Sequence, residues 1–365
     1  MNKFVYMDAA ASWLKPQPLI ESQVGFLRNA YANAGRGVCT RAGHVDDMIL
    51  SARQKIADFI GAKAENIVFT SGATDALNRI VRIIQNTVRD KNLTVAVSDL
   101  DHHSARLPWE MLTQNVVVMP LDDDFNIDVN NIPNADVFVI TAMSNVLGVA
   151  QDVEKIISVI KSKNPNAITV VDAAQFVAHE QINVKKFDPD FLVFSGHKIG
   201  SDTGVGIMYI KNPDMWNPDK FGGGMVNRIL ENKIVFNKAP EKFEAGTLPI
   251  TQIIGLPYAL DYLTNWNGGV DLIHYMFDEL AKMENIKLLT SRNASIISFI
   301  PTNMHVFDFG TLLGARGICV RVGNMCASWI HKKLAVDGSV RISVGPWNTM
   351  DDAIYVIESV KKLVE

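Results

Sequence analysis

The sequence predicts an α/β protein: a large domain on a mostly parallel, doubly wound sheet of seven strands, with a smaller α+β domain beside it. Three observations carry that expectation. Seven short apolar runs recur between residues 67 and 210, most of them separated by segments of helical spacing. Residues with acid, amide, imidazole and amine groups stand just after those runs, at the strand ends where ligands collect in such sheets. Past residue 268 the pattern changes to helices mixed with short strands. The boundaries read as 15–265 for the large domain and 266–365, together with 1–14, for the small one.

Composition excludes several classes of function. The chain has 365 residues, 48% hydrophobic and 20% charged, with a formal net charge of -4. No block of lysine and arginine stands out, so neither a nucleic-acid nor a membrane partner is expected. Asp8 interrupts the start before a signal-peptide apolar region can form, and no run is long enough to span a bilayer, so a cytoplasmic enzyme is expected. Three scattered cysteines, Cys39, Cys319 and Cys326, make neither a disulfide framework nor a zinc site, and no metal is expected. Cys319 reads as a small core residue, whereas Cys326 lies in a loop after a strand and just beyond Gly323.

In chain order, a non-helical lead-in through Lys15–Pro18 gives way to a helical period from residue 19 to 31. A turn with Arg36 between Gly35 and Gly37 precedes a second helix over 46–60, stopped by Gly61. The strand runs are then 67–70, 94–98, 116–119, 137–141, 168–172, 191–195 and 205–210, with helices over 73–88 and 152–160 among the connections. A polar loop region extends from the triple glycine 222–224 to Thr247, and a helix covers 251–265. Short strands are expected at 295–300, 304–309, 318–322 and 340–344.

The residues just past the strand ends form a coherent set. Ser71, Gly72, Ala73 and Thr74 open a helix, whose free amides and positive end suit a phosphate. His102 and His103 come after the next strand, Asn145 after the run ending at Thr141, and Asp172 ends a strand and is trailed by Gln175. Lys198 stands just beyond a buried strand, after Ser195, Gly196 and His197. Burial disfavours the ammonium form, so such a lysine becomes an amine nucleophile near neutral pH, as a Schiff-base lysine for pyridoxal phosphate (PLP) must be. Neither a Walker A motif nor a dinucleotide fingerprint is present.

Taken together, these segments resemble the PLP-dependent class V aminotransferase family of fold type I, and within it the cysteine desulfurase and selenocysteine lyase group. The resemblance runs over nearly the whole chain. It rests on Tyr6–Ser12, Arg36–Gly37, Thr70–Asp75, Asp101–His103, Ser144–Gly148, Val171–Gln175, Phe194–Lys198, Phe243–Thr247, Arg321–Ala327 and Val340–Ser343, in that order and spacing.

The resemblance implies roles residue by residue. Lys198 would hold the PLP aldehyde and move the substrate Cα proton, and Asp172 would keep the pyridine nitrogen protonated. His102 would stack on the ring, and Gln175 would reach its phenolic oxygen. Ala73, Thr74, Ser195 and His197 would bind the phosphate, with Thr247 arriving from the other subunit of a homodimer. Arg341 would clamp the substrate carboxylate, with Asn145 and Arg36 lining the substrate side and Asn145 also near the cofactor. Cys326 would take sulfur from L-cysteine as a persulfide, for a protein acceptor serving iron–sulfur clusters or thiolated nucleosides, with alanine released. A selenocysteine lyase, another PLP β-lyase or an aminotransferase of the family is the alternative. The chain departs from the group where Asn324 and Met325 replace two histidines and where Cys39 stands at a position more often histidine. Preference between cysteine and selenocysteine stays open.

Overall fold

The computed structural model describes residues 4–35, 37–88, 92–113 and 115–365. All seven expected runs are strands of one sheet: β1 (Ile67–Thr70), β2 (Val95–Ser98), β3 (Val116–Met119), β4 (Val137–Thr141), β5 (Ile168–Asp172), β6 (Phe191–Ser195) and β7 (Gly206–Ile210). Their spatial order is β1-β7-β6-β5-β4-β2-β3. β7 runs antiparallel to both its neighbours, while β6, β5, β4, β2 and β3 are mutually parallel. Burial on both faces explains why most of these strands read as unbroken Val/Ile/Phe runs and not as alternating ones.

The first helices are α1 (Gln17–Asn29), α2 (Thr40–Ile60), α3 (Ala73–Val88), α4 (His103–Leu112) and α5 (Val153–Lys163). α2 begins six residues before the expected start and ends on Gly61, whose φ of 74° provides the left-handed cap that the sequence suggested. In α3, Ala73, Ala76, Leu77, Ile80, Val81 and Ile84 recur at three- and four-residue spacing and bury one face against the sheet. α6 (Ile250–Thr264) packs against α1 and α2 on the other side.

Two expected segments fold otherwise. The segment read as a polar loop contains a hairpin, β8 (Val226–Leu230) and β9 (Lys233–Phe236), whose largely exposed side chains gave no core-facing alternation to detect. The strand expected at 304–309 is instead the start of a helix. His305 caps it by accepting the Phe307 N–H, and Val306, Phe309 and Leu313 fall on one buried face.

The C-terminal part holds α7 (Val270–Leu280), α8 (Val306–Ala315), α9 (Ser328–Lys333) and α10 (Met350–Val364) around a four-stranded antiparallel sheet. That sheet comprises β10 (Ile286–Leu288), β11 (Ile297–Pro301), β12 (Arg321–Gly323) and β13 (Ser339–Ile342), in the order β10-β11-β13-β12. Its apolar cluster, with Phe299, Phe309 and Ile342 at the centre, takes in Val5 and Met7 from the start of the chain. Trp13 belongs to the large cluster under the seven-stranded sheet. Residues 8–12 therefore pass from one core to the other. Cys319 is half-buried in a short pairing with Tyr6, and so is not the core residue its surroundings suggested.

Candidate active site

The carboxyl ends of β4, β5 and β6 open on a cavity of about 330 Å³, closed on its far side by β12, β13 and the loop before α9. Strand register places Thr141 beside Asp172, and Asp172 beside Val193, in one row across the sheet. Asp172 is 5% exposed. Burial raises its pKa, opposed by the Ala174 N–H that it accepts at 3.0 Å and by the charge of Lys198.

Lys198 sits in a single 3-10 turn after β6, which Gly200 ends with a φ of 92°. Burial and the neighbouring Arg341 lower the Lys198 pKa to about 7, against the opposing pull of Asp172 and Asp8. An amine so placed is about half neutral near pH 7, where an ordinary lysine is almost wholly charged. Its Nζ donates to the carbonyl of Ala10, which also accepts from Gln175 Nε2 at 2.6 Å. The N-terminal segment thus supplies a main-chain acceptor that no side-chain pattern could reveal.

His102 precedes α4 as its cap, Nδ1 accepting the Ser104 N–H at 3.2 Å. Burial first, then the charges of Lys198, His103 and Arg341, lower its pKa to about 4, so the ring is neutral and free to lie on an aromatic ligand. His197 is likewise pushed down to about 4, by burial and by Lys198.

At the opposite end, Ser195 Oγ accepts the Ala73 N–H at 2.8 Å, so the end of β6 and the start of α3 are held together. Thr74 lines the cavity beside them. The crossing requires two glycines: a Cβ on Gly206 would lie 2.5 Å from the Cα of Gly72, whose own φ is 154°. Backbone amides at a helix N-terminus, a serine and a threonine make an anion cradle there.

The small sheet contributes the third wall. Arg341, 2% exposed, donates from Nη1 to the Asn145 carbonyl at 2.8 Å and from Nη2 to Asp8 Oδ1 at 3.1 Å. Arg321, its register partner on β12, meets Asp8 Oδ2 at 2.6 Å. Asp8 therefore sits between two guanidiniums, a role invisible in a stretch that offered only small neighbours. Arg341 Nε and Asn145 Oδ1 are buried with no hydrogen-bond partner among the described residues. Cys326 is exposed and lines the cavity beside Arg321. It and Met325 adopt φ values of 54° and 46°, a left-handed pair that turns the chain back into α9.

The structure thus brings Lys198, Asp172, Gln175, His102, Ala73, Thr74, Ser195, His197, Asn145, Arg341 and Cys326 to one cavity. Thr247 is not among them. It lines a separate groove of about 680 Å³ with Arg53 and Glu244. The larger space is not where the chemistry gathers, since no described lysine, histidine or cysteine lines it. Arg36 lies outside the described residues. Sequence reading missed Asp8 and Asp101 as working parts. Asp101 is fully buried behind the site, accepting from Ser98 N and Thr141 Oγ1 at 2.7 Å each, and burial raises its pKa to about 7. Among the described residues no helix is long and apolar enough to cross a membrane, and no metal-ligating cluster occurs.

The donor set fits PLP. A lysine made nucleophilic by burial, a buried acid, a neutral ring at a helix cap and an anion cradle are the group types that would suit its aldehyde, pyridine nitrogen, ring face and phosphate. The unpaired Arg341 Nε and Asn145 Oδ1 remain for a carboxylate and an amine beside it.

The family model for aminotransferase class-V matches residues 5–356. A probable cysteine desulfurase of Vibrio cholerae serotype O1 is 30% identical, the match covering 100% of this chain and 94% of that protein. A cysteine desulfurase of Wigglesworthia glossinidia brevipalpis is 32% identical over 99% and 93% respectively. Among solved structures, the apo cysteine desulfurase of Thermococcus onnurineus NA1 superposes with a TM-score of 0.93 at 31% identity, covering 99% of this chain and 94% of that one. The cysteine desulfurase CsdA of Escherichia coli gives a TM-score of 0.90 at 30% identity, covering 98% and 94%. The chain belongs to the aminotransferase class-V family, whose members depend on PLP.

Proposed function

We propose that this member of the class-V aminotransferase family is a PLP-dependent cysteine desulfurase, which converts L-cysteine to L-alanine and carries the sulfur on Cys326. One observation carries the reading: Lys198 and Cys326, from opposite domains, line the same small cavity. The full-length likeness to proteins named cysteine desulfurases supports it.

When bound, PLP supplies an electron-withdrawing ring that makes the substrate Cα–H acidic. This chain's residues do the rest. The Lys198 amine would hold the cofactor and, in its neutral form, would take the substrate Cα proton at Nζ. Asp172 would hold the pyridine nitrogen in its protonated form, and His102 would cover the ring. Arg341, fixed by Asp8 and by the Asn145 carbonyl, takes the substrate carboxylate through Nε and Nη2, and Asn145 Oδ1 accepts from the substrate side. The Cys326 thiolate, which lies beside Arg321 in the cavity wall, attacks the substrate sulfur. A sulfur–sulfur bond forms as the Cβ–S bond breaks. The released electron pair stays with the carbon fragment, which takes up protons and leaves as alanine.

In this reading residues 15–265 bind the cofactor, and 266–365 with 1–14 close over the substrate. Thr247, which lines a separate groove, would reach the phosphate of a second subunit in a homodimer. A protein acceptor would take the persulfide sulfur in the cytoplasm, for iron–sulfur clusters or thiolated nucleosides. Cys326→Ala tests the core of the proposal. The variant should hold PLP with unchanged absorbance yet lose sulfide release from L-cysteine, and release at the wild-type rate would refute it.

A further inference from the structure

The turn that carries Cys326 needs a fastening. Two consecutive non-glycine residues in the left-handed region, Met325 and Cys326, cost about 1–2 kcal/mol each and persist when their surroundings hold them. The structure shows four holds. The Met325 carbonyl accepts from Asn145 Nδ2 at 2.8 Å, and the Met325 side chain packs in a small cluster with Leu100, Val146 and Ile330. The remaining two come from one residue outside the cavity. The main-chain N–H of His103 donates to the Cys326 carbonyl at 2.7 Å. Its ring Nε2 accepts the Ser328 N–H at 3.3 Å and lies 3.0 Å from the Ser328 hydroxyl.

His103 is the first residue of α4, where helix N–H groups have no partner within the helix. Here that spare donor is directed at the nucleophile loop. The same ring packs edge-on against Trp329 at 5.3 Å, and Arg106, one turn along α4, lies over Trp329 at 4.3 Å. Burial lowers the His103 pKa, in keeping with an uncharged ring whose Nε2 accepts.

We propose that His103 is a positioning residue for Cys326, its main-chain N–H and ring fixing the 325–328 turn so that the thiol stays over the cavity. It rests on Cys326 being the nucleophile, and it gives the start of α4 a double office: His102 faces the cofactor's place while its neighbour sets the thiol. Separation of ring and thiol is then governed by two adjacent residues on one helix start.

The position allows an unusual test, because proline is tolerated at the first residue of a helix and His102 already has the extended backbone (φ -62°, ψ 150°) that a subsequent proline demands. His103→Ala removes the ring and keeps the N–H, whereas His103→Pro removes both. In cofactor-free protein, amide exchange in the 324–328 segment should rise about fivefold from wild type to alanine and about fivefold again to proline, the factor for one hydrogen bond of ordinary net strength. In PLP-loaded protein, alanine formation in a single turnover should slow by similar factors, while the absorbance change on mixing with L-cysteine keeps its wild-type rate. Should proline disturb α4, His103→Gln in place of alanine carries the test, since its side-chain oxygen restores the acceptor for Ser328 and should return exchange toward wild type. Equal exchange in wild type and all variants overturns the proposal, as does a loss of the absorbance change in step with alanine. Wild-type sulfide release by Cys326→Ala would instead sink the reading of Cys326 and leave the exchange result standing.

Discussion

Replacing Arg341 by leucine should weaken carboxylate binding more than any other function of the site. The guanidinium is 2% exposed, it already spends Nη1 on the Asn145 carbonyl, and its Nε has no partner among the described residues. A substrate carboxylate would complete it with charge-assisted bonds, together worth about 2–3 kcal/mol. Losing them lowers kcat/KM for L-cysteine by roughly 30–150-fold. Cysteamine, which has the amine and thiol but no carboxylate, provides the internal control, and its kcat/KM should change by less than about threefold. The fold should survive: Asp8 keeps Arg321 at 2.6 Å, so the acid is not left alone, and the cost stays near 2 kcal/mol and below the ~3–5 typical of an orphaned buried charge. Steady-state kinetics with both substrates and a urea titration measure the two quantities. Equal losses for L-cysteine and cysteamine would refute the assignment of Arg341 to the carboxylate.

Four further outcomes are expected. Cofactor-stripped protein should recapture PLP at a rate that rises as pH passes about 7, because Lys198 reacts as the neutral amine and its pKa is held near that value. A lysine pKa depressed in the folded state also means that its burial weakens stability fully below pH 7 and progressively less toward the unfolded value of 10.5, which a Lys198→Met denaturation series would show by losing that slope. Gly206→Ala places a Cβ 2.5 Å from the Gly72 Cα and should weaken PLP binding at least tenfold by prising open the anion cradle, as read by dialysis against PLP. Arg53→Met leaves Glu244 buried with the Phe69 N–H as its remaining partner, and should cost about 3–5 kcal/mol in chemical denaturation.

Much of the fold was legible because both faces of the central sheet are covered, which turns strands into continuous apolar runs bounded by polar ends. The cavity was legible for the same reason: Asp172, Lys198 and Asn145 are among the first polar residues after such runs. The reversal of β7 was not, since an antiparallel neighbour buried on both sides has the same composition as a parallel one. The β8–β9 hairpin escaped because its exposed side chains carry no inward pattern. Asp8 and the Ala10 carbonyl escaped for a different reason. Their partners, Arg321, Arg341, Lys198 and Gln175, are remote in sequence, and a main-chain acceptor has no signature in residue type. Periodicity likewise misread 304–309, where a short apolar stretch suited a strand until its histidine cap and the three- and four-residue spacing of Val306, Phe309 and Leu313 were seen together.

The most direct measurement is a single turnover of PLP-loaded protein with L-cysteine and no sulfur acceptor, with peptide mass mapping of the product. The account predicts alanine equal to the number of loaded sites and one added sulfur atom on the peptide bearing Cys326. Alanine without that sulfur, or the sulfur on Cys39 or Cys319 instead, would contradict it.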